Sequence, residues 1–122
     1  MQIHKVLVVD DDHSVLQTYR KLLQKCGYEV ITAENPSEVL KNLQNYSSAE
    51  LVILDYRMPL IDGLTLLVEM RKRNFLPKAI LISAYLTDEV KKRATVLGIN
   101  SIFSKPVDVA KLKESIKHAL QA

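Results

Sequence analysis

Lys5-Val6-Leu7-Val8-Val9-Asp10-Asp11-Asp12 sets four apolar residues in a row and follows them with three acids. Positions 6–9 do not alternate with polar residues. A strand of that kind is buried on both faces, as in a parallel sheet covered by helices on each side. The same unbroken pattern recurs at Leu51–Leu54 and Ala79–Ile82, the last run ending in Ser83. Shorter β-type runs fall at Tyr28–Ala33 and Ser101–Phe103.

Amphipathic stretches separate the five runs. Val15, Leu16, Tyr19, Leu22, Leu23 and Cys26 form one apolar stripe at helical spacing, which Gly27 stops. Asn35-Pro36-Ser37-Glu38 opens a second helix, with a capping Asn, Pro at the first helical position and Glu three residues after the cap. Leu64, Leu67, Val68 and Met70-Arg71 mark a third after the Asp62-Gly63 turn. Thr87-Asp88-Glu89 caps a fourth, with Val90, Ala94 and Leu97 inward and Gly98 at its end. Asp108 caps a fifth, with Val109, Leu112, Ile116 and Leu120 as its stripe. Strict alternation gives an α/β fold, (βα)5, a doubly wound five-stranded parallel sheet with right-handed crossovers. Residues 1–122 are read as a single domain, since the length suits one core and no linker or repeat interrupts the pattern.

Composition narrows the function classes. The single cysteine, Cys26, rules out an intramolecular disulfide and fits a reducing cytoplasm; its place on the stripe predicts a buried thiol. The apolar runs are far shorter than a membrane span, and Met1-Gln2-Ile3-His4-Lys5 has no signal-peptide core. The net charge of +3 comes from Lys and Arg interleaved with Glu on helical stretches, without alternating aromatics. That is a solvated surface, and direct nucleic-acid binding is not expected.

Ligands of such sheets bind at the carboxyl ends of the strands, where helix amino termini converge. The first strand delivers Asp10-Asp11-Asp12 to that edge, the third Asp55, the fourth Ser83, and the fifth leads to Lys105-Pro106. Gathered carboxylates oppose one another's ionisation, and a hard divalent cation such as Mg²⁺ offsets the repulsion. Such a cation also bridges and neutralises an incoming phosphoryl group. Lys105 can pair with a phosphoryl oxygen, Ser83 can donate to another, and Asp55 can be the nucleophile that forms an acyl phosphate. This chemistry is metal-assisted phosphoryl transfer to a carboxylate; it leaves open whether the protein is a switch or an enzyme.

Asp55-Tyr56-Arg57-Met58-Pro59-Leu60-Ile61-Asp62-Gly63 resembles the D-x-x-M-P-x-x-D-G signature of response-regulator receiver domains. Val8-Val9-Asp10-Asp11-Asp12 resembles their acidic first-strand motif, Ser83-Ala84 their hydroxyl position, and Ser104-Lys105-Pro106 their lysine-proline motif. The four motifs occur in the family's order and spacing over essentially the whole chain. The resemblance implies a flavodoxin-like strand order, 2-1-3-4-5. It implies Mg²⁺ bound by Asp11, Asp55 and the Arg57 backbone carbonyl, with Asp10 acting mostly through water. It further implies phosphoryl contacts from Ser83, Ala84 and Lys105, a cis Lys105–Pro106 bond, and pocket-tuning positions at Arg57 and Tyr85. The phosphoryl donor would be a sensor histidine kinase or a histidine phosphotransfer protein. The responding surface would be the fourth helix, fifth strand and fifth helix, meeting an output domain, a partner or a second copy on phosphorylation.

One position departs from the family. Three residues before the lysine the family often carries Tyr or Phe as a rotameric relay; here Ile102 stands there and Phe103 follows. Neighbouring strand residues point to opposite faces, so Phe103 is not a substitute.

Plainer roles are expected elsewhere. Asp12 caps the first helix, Asp62 serves a turn and cap, and His4, His13 and His118 lie at the surface. Two rivals remain. Asp10-x-Asp12-x-Ser14 nearly matches the nucleophile motif of haloacid-dehalogenase-type phosphohydrolases, but no later acidic pair completes that metal site. A degenerate receiver that only binds partners would lack an acid, the acceptor or the lysine, and all are present. The context is either a single-domain regulator or an amino-terminal domain of a longer one; Met1 beside the first strand counts against a carboxy-terminal receiver of a hybrid kinase.

Overall fold

A computed structural model describes residues 3–99 and 101–121. In chain order the elements are β1 (Lys5–Val9), α1 (His13–Lys25), β2 (Glu29–Ala33), α2 (Pro36–Lys41) and α3 (Leu43–Tyr46). They continue with β3 (Leu51–Asp55), α4 (Gly63–Lys72), β4 (Lys78–Ser83), α5 (Asp88–Val96), β5 (Ser101–Ser104) and α6 (Val109–Leu120). All strand pairings are parallel and the order is β2-β1-β3-β4-β5, as expected.

The unalternating strands are explained by two cores. Leu7, Val9, Val52, Leu54 and Leu81 face one side, where α4 packs with Leu64, Leu66, Leu67 and Met70. Val6, Val8, Leu51, Ile53, Ile80 and Ile82 face the other, against Leu16, Tyr19 and Leu23 of α1 and Leu112 and Ile116 of α6. Each fully buried aliphatic side chain contributes about 1.5–3 kcal/mol, so the three central strands are fixed from both faces.

Four expectations need correction. The second helix is broken: Asn42, at φ −123° and ψ 44°, interrupts it, and a separate turn, α3, follows. Glu38 does not close the cap but accepts from the Tyr46 hydroxyl at 3.0 Å, tying that turn back to α2. Cys26 is exposed, not buried, because α1 ends at Lys25; Cys26 is the C-cap residue, and Gly27 turns the chain away at φ +90°. Val109 is exposed at the first residue of α6, so the buried stripe begins only at Leu112.

Candidate functional site

Register builds the site. Val9 pairs with Leu54, so the next residues, Asp10 and Asp55, leave adjacent strands side by side. Asp55 pairs with Ile82, which brings Ser83 one step past it; Ser83 pairs with Ser104, and Lys105 follows. Asp10 is 3% exposed, Asp55 9% and Ser83 0%, while Asp11 lies at the surface. One carboxylate oxygen from each of Asp10, Asp11 and Asp55 lies within 4.8 Å of the others. That is an oxygen-only donor set open on one side, the kind that suits a hard divalent cation.

Lys105 enters between the two buried acids. Its Nζ donates to Asp10 Oδ2 at 3.1 Å and reaches Asp55 Oδ2 at 3.5 Å. Burial raises the Asp55 pKa above its ordinary value, and the Asp10 charge adds to this, while Lys105 opposes it. Burial works against the Lys105 charge, but the hydrogen bond and charge of Asp10, with those of Asp55, outweigh it and hold the pKa above normal. The Asp55 carboxylate thus sits in an environment that disfavours its charge, with the Lys105 ammonium as its opposing partner. Backbone bonds fix the frame: Lys105 N–H donates to the Ser83 carbonyl at 3.0 Å, and Asp12 N–H donates to Asp10 Oδ1 at 2.9 Å. The Lys105–Pro106 bond is cis, as the resemblance implied.

The family model for the response regulator receiver domain matches residues 6–117. The chain belongs to the response-regulator receiver family. The chemotaxis protein CheY of Treponema pallidum is 32% identical, over 97% of this chain and 83% of that protein. The response regulator TrrA of Thermotoga maritima, solved in complex with Mg²⁺ and beryllofluoride, superposes with a TM-score of 0.82 at 35% identity. That match covers 97% of this chain and all of the other. PhoP of Bacillus subtilis, a transcriptional regulatory protein for alkaline phosphatase synthesis, is 27% identical over 96% of this chain, which spans 48% of its length. This receiver is therefore a signalling domain of two-component regulation, with an acidic pocket of the type that binds Mg²⁺ in the family.

Two features set this receiver's own character. Ile102 packs into the core on the α4 and α5 side of the sheet, whereas Phe103 packs on the α1 and α6 side. The departure read from the sequence is therefore real in space: no aromatic stands behind Ser83 from β5. On the outer side, the Arg57 guanidinium lies over the Tyr85 ring, 3.9 Å from its centroid. Tyr85 N–H also donates to Ser83 Oγ at 3.1 Å, and Ala84 between them is exposed. The stack joins the loop after β3 to the loop after β4.

The plainer roles hold, with additions. Asp12 accepts from the Ser14 and Val15 N–H groups and from the Ser14 hydroxyl, so it caps α1. His13 is exposed and paired with Glu34. His118 is exposed, but His4 is half-buried, its Nδ1 3.0 Å from Glu50. Asp62 caps α4 through Thr65 N–H at 2.7 Å and also accepts from Arg93 at 3.1 Å.

Sequence reasoning did not find Arg93 or the role of Gly63. A Cβ on Gly63 would lie 2.2 Å from the Asp55 carbonyl oxygen, so the start of α4 presses directly on the backbone of Asp55. The Asp62-Gly63 pair was visible as a turn; nothing in one sequence says that the turn abuts Asp55.

Proposed function

We propose that Asp55 accepts a phosphoryl group from phosphohistidine on a sensor histidine kinase or a histidine phosphotransfer protein, with residues 1–122 acting as one receiver domain in the cytoplasm. The observation that carries this is the placement of Lys105 Nζ between Asp10 and Asp55, beside a three-carboxylate cluster. Asp10, Asp11 and Asp55, with the Arg57 carbonyl, would hold Mg²⁺. When bound, the ion neutralises the clustered carboxylates and the phosphoryl oxygens.

In the transfer an Asp55 oxygen attacks phosphorus, the P–N bond breaks, and its electron pair returns to the donor imidazole, which leaves neutral once it carries a proton. Lys105 trades its carboxylate partners for a phosphoryl oxygen, and Ser83 Oγ and the Ala84 N–H offer hydrogen bonds to others. The Arg57–Tyr85 stack covers the outer side of the pocket and tunes how readily water reaches the acyl phosphate. A shallow apolar groove of about 260 Å³, lined by Val15, Thr18, Leu22, Pro106 and Val107, ends at Lys105 and suits a donor helix. The responding surface is α5–β5–α6, the fourth helix, fifth strand and fifth helix of the sequence reading, where an output domain, a partner or a second copy would bind.

The test is transfer from a phosphohistidine-bearing phosphotransfer protein in Mg²⁺. The wild type should remove the donor's phosphoryl group and Asp55→Asn should not; equal depletion by both would place the acceptor elsewhere.

A further inference from the structure

With Ile102 in place of an aromatic relay, the link between the phosphoacceptor loop and the responding helix must run through other atoms. The described residues contain one direct polar bridge from α5 to that loop. Arg93, on the second turn of α5, places Nη1 3.1 Å from Asp62 Oδ2 and Nη2 2.8 Å from Thr65 Oγ1. A planar guanidinium uses both arms of its fork there, which fixes direction as well as distance.

The far end of that bridge is rigid with respect to Asp55. Gly63 N–H donates to the Tyr56 carbonyl at 2.8 Å, and the Gly63 Cα stands so close to the Asp55 carbonyl that no Cβ fits. Asp62 Oδ1 is meanwhile held by Thr65 N–H at 2.7 Å. A shift of the backbone around Asp55 and Tyr56 therefore moves Asp62, and with it the two acceptors that hold Arg93. Arg93 lines the same groove as Arg57 and Tyr85, so the loops after β3 and β4 both meet α5 there.

We propose that Arg93, through Asp62 and Thr65, holds α5 in its unphosphorylated position, and that this tether does the work an aromatic at position 102 does not. The proposal rests on the receiver reading above and adds the residue that sets the resting equilibrium. Arg93 is a positioning residue: it touches neither the phosphoryl group nor the acceptor. A contact made only in the resting state lowers the population of the activated state, and its removal raises the affinity for any ligand that selects that state. The pair is partly exposed, with side chains 41% and 27% accessible, so the effect is modest. A tether of this exposure corresponds to a change of about two- to fivefold.

Beryllofluoride with Mg²⁺ is the probe, and its affinity is followed by ¹⁵N–¹H NMR together with the shifts of α5 amides. Arg93→Gln and Thr65→Val should each tighten beryllofluoride binding, up to the two- to fivefold limit, and move α5 amides of the free protein toward their bound positions. Arg93→Lys, which keeps the charge on Asp62, should fall between Arg93→Gln and wild type. Asp62→Asn keeps a capping oxygen but loses the charge; Arg93→Gln should add less in that background than alone. Unchanged or weaker binding in Arg93→Gln, with only its melting temperature lowered, would make Arg93 a purely structural residue and overturn the tether. If wild type itself fails to bind beryllofluoride with Mg²⁺, the receiver reading falls and takes the tether with it.

Discussion

Gly63→Ala is the sharpest perturbation of the frame around Asp55. The added Cβ would meet the Asp55 carbonyl oxygen at 2.2 Å, the Asp55 carbonyl carbon at 3.1 Å and the Leu54 Cβ at 3.4 Å. Ordinary contact needs 3.4–4 Å, so either α4 or the end of β3 must retreat by more than one ångström. Neither partner is a flexible side-chain end. β3 is paired on both sides and buried throughout, and α4 is anchored by Leu64, Leu66 and Leu67. Overpacking of this kind costs about 1–3 kcal/mol, and two backbones in conflict place it near the upper end. The helix-propensity gain of alanine, at most about 1 kcal/mol, recovers only part. Displacing Asp55 by that distance should also slow its phosphorylation, by up to about 100-fold. Gly98→Ala is the control: its φ is +81° with open space around the Cβ, so it should lose about 1 kcal/mol and phosphorylate normally. Urea unfolding followed by far-UV circular dichroism suits a chain without Trp, with phosphorylation followed by mass. A Gly63→Ala protein as stable and as readily phosphorylated as wild type would refute the reasoning. One that loses stability but phosphorylates normally would leave the contact structural and remove it from positioning Asp55.

Asp55→Asn should stabilise the protein without divalent cation at pH 7. The raised folded pKa means that ionising Asp55 costs stability; the cost is absent below the ordinary value of 3.8 and complete above the raised folded value. The stabilising effect should therefore vanish as pH falls toward 3.8, which paired acid titrations of the two proteins would check. Lys105→Met leaves two buried carboxylates without their cation, and should lower metal-free stability at pH 7 by about 1–3 kcal/mol and recover part of it in Mg²⁺. An unchanged urea midpoint would deny Lys105 its compensating role. Mg²⁺ should raise the melting temperature of wild type, and Asp11→Ala should abolish most of that rise; an equal rise in the mutant would remove Asp11 from the metal site.

The frame and the gathering of polar groups at its edge were legible in the sequence for a shared reason: the acids, hydroxyl and lysine stand at strand ends, and strand ends are marked by the close of an apolar run. Val6–Val9 before Asp10 and Leu51–Leu54 before Asp55 announce both the layer and the edge. Ile102 was legible as well, because strand side chains alternate and its face could be counted. Long-range contacts whose partners have no period were not legible. Arg93 reads as one more charge on a solvated helix, and only the packing of α5 beside α4 shows that it meets Asp62 and Thr65. Arg57 and Tyr85 were marked as neighbours of the pocket, but their stack depends on how two loops fold over the sheet edge. Cys26 misled because helical spacing continues one residue past the helix; the stop at Gly27 acts on the turn before it.

The central claim is that Asp55 is the phosphoacceptor and that its phosphorylation depends on Mg²⁺. Intact mass after incubation with acetyl phosphate, with and without Mg²⁺, tests it on wild type and Asp55→Asn together. The account predicts a gain of one phosphoryl group in wild type with Mg²⁺ only, and none in Asp55→Asn. The same gain in Asp55→Asn, or a gain in wild type that persists without divalent cation, would contradict it.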